Sequence, residues 1–99
     1  MLTQNEFEII RNFFSHKPVV RAFLFGSQSR NVSDEKSDVD ILVELDYTQK
    51  IGLDYFVMEQ ELSRLLNRKV DLLSANSVSA YLLPRIEKDK VLVYARPAA

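Results

Sequence analysis

A chain of 99 residues, 46% of them hydrophobic, is long enough for one compact core and too short for two, so residues 1–99 are expected to form a single domain. Its 13 basic residues against 14 acidic ones give a net charge of −1, which offers no general attraction for nucleic acid or anionic membrane; direct nucleic-acid binding is not expected, and any phosphate ligand must be held by local groups. The lack of cysteine excludes disulfides and thiolate metal sites, no apolar run approaches the ~20 residues of a membrane span, and no signal-peptide pattern opens the chain, so a cytoplasmic protein without membrane association is expected.

Thr3 followed by Glu6 forms a capping box, with Leu2 placed to staple onto Phe7, and the apolar positions Phe7, Ile10 and Phe14, widened by Ile9 and Phe13, predict a helix over about residues 4–15 that Pro18 stops. Residues 19–25 are β-branched and aromatic and read as a strand ending at Gly26-Ser27, a turn that brings backbone close to a ligand and can seat an anion. Residues 28–37 are almost wholly polar and read as one helical turn and a loop. A second strand is expected over residues 38–45, with Asp38 and Asp40 on one face and Val39 and Ile41 on the other.

Ile51, Tyr55, Met58, Leu62 and Leu65 repeat at helical steps, predicting a helix over about 52–67 that covers one side of the sheet. Val70-Asp71-Leu72-Leu73 resumes as a third strand, with Asp71 alone among apolar neighbours. Asn76 or Ser77 is the expected cap of a short helix through residues 78–83, which Pro84 interrupts or restarts before Ile86. Residues 90–95 read as the last strand, and the mixed-sign stretch 85–90 as a solvated face. This order predicts an α/β domain with a small mixed sheet flanked by helices.

Two carboxylates at alternate positions of a strand, beside a Gly-Ser turn, are costly to bury without compensation. Magnesium bound to phosphate supplies that compensation, because it takes oxygen ligands from one or two carboxylates together with substrate phosphates. If Asp71 faces the same side, three carboxylates converge, enough for two ions clamping an in-line phosphoryl displacement. The outer phosphates then have Gly26, Ser27 and Arg30 as seats. Blander readings stand beside these: the Gly-Ser turn as a plain strand exit, Asp71 paired with Arg68 or Lys69, Arg30 as a solvated loop charge, and the only histidine, His16, as an exposed helix end.

Gly26-Ser27, ten residues, Asp38-Val39-Asp40 and a later strand Asp71 resemble the nucleotidyltransferase superfamily that includes DNA polymerase beta, and over residues 19–73 the chain is most similar to its minimal branch, the MNT-domain proteins. The family pattern often continues Gly-Ser-x-Ala-Arg-Gly, whereas this chain has Ser29, Arg30 and Asn31, so that Arg30 keeps the register and its two neighbours depart from it. The resemblance implies the polymerase beta-like nucleotidyltransferase fold, ATP as substrate and two magnesium ions. It assigns Asp38, Asp40 and Asp71 as catalytic metal ligands and Gly26, Ser27 and Arg30 as nucleotide-binding residues. It also implies a HEPN-domain ribonuclease toxin as partner in a hetero-oligomer, with AMP moved from ATP onto a toxin hydroxyl, a tyrosine, so that the chain acts as antitoxin. The alternative is a non-catalytic antitoxin that neutralises its partner by binding alone.

Overall fold

In a computed structural model, which describes residues 2–26, 38–49 and 54–97, the first helix, α1, spans Gln4–Ser15. Its start is the expected capping box: the Glu6 amide donates to Thr3 Oγ1 at 3.1 Å while Glu6 Oε1 accepts from the Thr3 amide at 2.9 Å. Ile10, Phe13 and Phe14 turn inward from this helix, and the Phe14 ring lies 6.1 Å from that of Tyr94.

Strand β1 (Val19–Phe25) pairs antiparallel with β2 (Val39–Leu45), and β2 pairs in parallel with β3 (Val70–Ser74) after a crossover through helix α2 (Asp54–Leu66). Residues 75–77 form a 3-10 turn, then come α3 (Leu83–Asp89) and β4 (Val91–Ala95), which returns antiparallel to β1 and completes a mixed sheet of order β3-β2-β1-β4. No helix among the described residues is long and apolar enough to cross a membrane.

The period of two along each strand divides the side chains between two cores. Val39, Ile41, Val43, Leu24, Val70 and Leu72 pack with Ile10, Phe14, Met58 and Leu62 beneath α1 and α2. Phe23 and Leu42 face the other way, onto Ile86 of α3, with Phe25, Leu73 and Val78 around them. Each fully buried Ile, Leu or Phe contributes about 1.5–3 kcal/mol, so the larger core decides stability and the smaller one holds α3 in place.

Side chains of α2 close the outer edge of β3. Ser63 Oγ accepts from the Val70 amide at 3.0 Å, Glu59 Oε2 accepts from the Leu72 amide at 2.9 Å, and the Tyr55 hydroxyl donates to the Leu72 carbonyl. Edge groups that would otherwise invite another strand are thereby satisfied within the chain.

Several expected boundaries move. The α2 stripe runs through Met58, Leu62 and Leu66, while Leu65 is 55% exposed, because four-residue steps from Met58 land on Leu66. Ser74, rather than Asn76 or Ser77, caps the turn at 75–77, accepting from the Asn76 amide. Residues 78–82 are not helical; of the two readings of Pro84 the restart holds, since it sits in the first turn of α3, where its missing amide has no intrahelical partner to lose. Residues 28–37 and Ile51 lie outside the described residues.

Candidate active site

The antiparallel return of β2 against β1 sets Asp40 opposite Phe25, next to Gly26, and the parallel pairing with β3 sets Asp40 opposite Asp71 on its other side. Residues separated by dozens of positions therefore meet at one end of the two central strands and their neighbour. Asp40 and Asp71 alternate with Ile41 and Leu72, which enter the larger core, so both carboxylates lie on the α3 face. Asp38 is exposed and immediately precedes β2.

Burial pushes the Asp40 carboxyl above the ordinary carboxylate range, and the negative charges of Asp71 and Asp38 push it further; a hydrogen bond with Asp71 adds to the rise, while Lys69 opposes it. Like charges held this close favour a shared proton or a bound cation. The tight pair is Asp40 with Asp71, and Asp38 is near enough for its charge to be felt. Among the described residues, no group of three or more His, Cys, Asp or Glu side chains is drawn together closely enough to hold a metal ion as they stand. The donor chemistry nevertheless suits magnesium: all three groups offer hard oxygens, and the mutual repulsion raising Asp40 is the energy that a divalent cation relieves.

Gly26 closes the site with positive φ, +70°, a conformation that disfavours any side chain. A Cβ there would stand 2.7 Å from Asp40 Oδ2, nearer than a real contact allows. The glycine thus lets β1 turn away directly over the carboxylate. Ser27 and Arg30 lie outside the described residues.

Arg68 does not neutralise Asp71. Its Nε lies 2.9 Å from Glu6 Oε2, with the two side chains only 8% and 14% exposed, so it ties the α2–β3 connection to the start of α1. His16 is exposed at the end of α1. Sequence reasoning missed Lys69, whose charge reaches Asp40, because adjacency to a strand start does not reveal the direction of a long side chain. It also missed the cavity beside Gly26, bounded by Phe25, Leu73, Leu82, Arg85, Ile86 and Asp89. The available signal was the spacing 82, 85, 86, 89, one face of a helix carrying two charges.

A mixed sheet carrying paired strand aspartates beside a glycine turn defines a nucleotidyltransferase scaffold. Residues 8–98 match the model of the polymerase beta nucleotidyltransferase family, and the chain belongs to that family. It is 41% identical over 73 residues to a Methanocaldococcus jannaschii protein named a putative protein adenylyltransferase, covering 74% of this chain and 77% of that one. Against protein adenylyltransferase MntA of Thermococcus cleftensis it is 32% identical over 100 residues, covering 94% of this chain and 98% of the relative. A crystal structure of a toxin–antitoxin with AMP-PNP superposes with a TM-score of 0.74 at 26% identity, over 92% of this chain and 73% of that one. The same fold recurs, at 22% identity and a TM-score of 0.72 over 95% of this chain and 73% of the other, in a Shewanella oneidensis complex of a tri-AMPylated HEPN toxin with an MNT antitoxin.

Proposed function

We propose that this nucleotidyltransferase is a magnesium-dependent protein adenylyltransferase that moves AMP from ATP onto a hydroxyl, a tyrosine, of a HEPN-type ribonuclease toxin and so acts as that toxin's antitoxin. The observation that carries the reading is the in-register facing of Asp40 and Asp71, with the Asp40 carboxyl raised by burial and by its acidic neighbours. Facing carboxylates add nothing to the packing of the sheet, whereas cation-assisted phosphoryl transfer uses such a pair to hold the ion. The names of the relatives point to the same chemistry: adenylyl transfer to protein in one, and an AMP-modified HEPN toxin held by an MNT antitoxin in a fold neighbour.

Asp38, Asp40 and Asp71 would hold two magnesium ions, which when bound neutralise the triphosphate and lower the pKa of the attacking hydroxyl. Gly26 leaves room for a phosphate to approach the backbone beside Asp40, and Ser27 and Arg30 are assigned to the outer phosphates. The acceptor oxygen bonds to the α-phosphorus, the bond from that phosphorus to the bridging oxygen breaks, and pyrophosphate leaves with its electron pair. The hydroxyl proton is lost to the carboxylates of the site.

Incubation of the purified chain with labelled ATP, magnesium and its cognate toxin is expected to label the toxin. Asp38→Asn and Asp40→Asn should each abolish the label. Transfer that persists in both variants overturns the mechanism, and toxin neutralisation that survives in both at equal expression identifies an antitoxin acting by binding alone.

A further inference from the structure

We propose that the cavity beneath α3 seats the nucleobase of the nucleotide, and that Arg85 and Asp89 select an amino-bearing purine there. The inference rests on the nucleotidyl-transfer reading above and adds the element that chooses the base. Gly26 and Phe25 form one wall, Leu73 another, and Leu82, Arg85, Ile86 and Asp89 of the α3 segment close the space. The cavity begins at Gly26, which lies against Asp40. Phe25 is the register partner of Asp40, and Leu73 lies two residues beyond Asp71 on the same strand face.

The volume, about 190 Å³, is below the ~300–1,000 Å³ of pockets that enclose a whole drug-sized ligand, so it suits one flat ring system with the sugar and phosphates outside. Its walls have the matching chemistry. Phe25, Leu73, Leu82 and Ile86 offer apolar surface to the faces of a ring, with Phe25 able to stack. Arg85 and Asp89 are four residues apart, one helical turn, and reach the cavity from the same side. A carboxylate accepts from an exocyclic amine, while a guanidinium donates to a ring nitrogen, and adenine presents both groups on neighbouring positions. Unsubstituted purine lacks the amine and leaves Asp89 without its donor, and uracil in the same orientation inverts the pattern, setting a carbonyl against Asp89 and an N3–H against Arg85, at a cost that rises with enclosure. The exposed Arg85 and the half-buried Asp89, set on either side of the buried Ile86, are what separate this cavity from ordinary core.

Binding to the full chain in magnesium, measured by calorimetry with ATP, purine riboside triphosphate, UTP and inorganic tripolyphosphate, tests the proposal. ATP should bind about 10-fold more tightly than purine riboside triphosphate or UTP, a difference that Asp89→Ala removes. Leu82→Trp, which fills the cavity from a half-exposed position, should lower ATP affinity toward that of tripolyphosphate and leave tripolyphosphate unchanged. Should Leu82→Trp fail to fold, the ATP to purine riboside triphosphate ratio in Asp89→Ala decides alone. Equal binding of all three nucleoside triphosphates overturns the base site while metal-dependent binding, lost in Asp40→Asn, leaves the transfer reading standing. Toxin labelling blocked by Leu82→Trp at unchanged ATP affinity also overturns it, by assigning the cavity to the acceptor ring. If neither ATP nor tripolyphosphate binds, both readings fail together.

Discussion

Asp40 and Asp71 stand opposite each other in register on the parallel strands β2 and β3, and Asp71 is the largest electrostatic cause, after burial, of the raised Asp40 pKa. The folded chain therefore holds the Asp40 proton more tightly than the unfolded chain does. Stability is expected to fall as pH rises from the ordinary carboxylate value of 3.8 through the raised folded value, and to stay at the lower level above it. Asp40→Asn removes the charge and should flatten that dependence. Because the site is open enough for solvent to screen the repulsion, the gain at neutral pH is a fraction of a kcal/mol, about 2–4 °C in Tm, alongside complete loss of transfer. A melting series from pH 3.5 to 8 on both proteins checks it; an Asn variant melting lower than the parent at neutral pH contradicts the repulsion.

Magnesium should raise the Tm of the parent chain by relieving the same repulsion, following RT ln(1 + [L]/Kd), and EDTA should reverse the effect. Asp40→Asn and Asp71→Asn should each weaken the response. Identical shifts in parent and variants would place the ion elsewhere.

Gly26→Ala combines a left-handed φ with a methyl group 2.7 Å from Asp40 Oδ2. Strain costs about 1 kcal/mol, and the carboxylate must swing aside. A displacement of that kind lowers transfer about 100-fold, a larger effect than the stability change produces, so kinetics and melting should be measured together. A variant as active as the parent would show that Asp40 need not lie under Gly26.

Glu6 and Arg68 are nearly enclosed, whereas Arg21 and Glu44 pair on the surface with side chains 53% and 28% exposed. Glu6→Ala loses half of the capping box and leaves a buried guanidinium, whose Nη1 has no hydrogen-bond partner among the described residues, without its carboxylate. The expected cost is about 3 kcal/mol, against less than ~1 kcal/mol for Glu44→Ala. Urea denaturation of the two variants should separate them clearly. Equal midpoints would remove Arg68 from the list of residues that hold α1 to the sheet.

Local patterns carried much of this architecture. The Thr3–Glu6 box, the apolar spacing of α1 and the β-branched run of β1 are each set by neighbours within a turn or a pleat, and the helix and strand bounds there agree with the structure. The later segment was less legible: the expected helix through residues 78–83 is absent before Leu83, Pro84 starts α3 as one of its two readings has it, and residues 85–90 present Arg85, Glu87 and Lys88 to solvent but bury Ile86. Alternation along a short helix is ambiguous until the sheet face it covers is known.

By itself, the sequence placed Asp40 on the strand face opposite Val39 and Ile41, because side chains alternate along a strand, while Asp38, expected on the same strand, stands just before it. It left Asp71 open between a site residue and a partner for Arg68 or Lys69. Only the tertiary structure brings Asp71 opposite Asp40, by pairing β3 in parallel with β2, and turns Arg68 away to Glu6. Strand order and register are long-range choices, set by which apolar faces α1 and α2 cover together, and no window of neighbouring residues contains them.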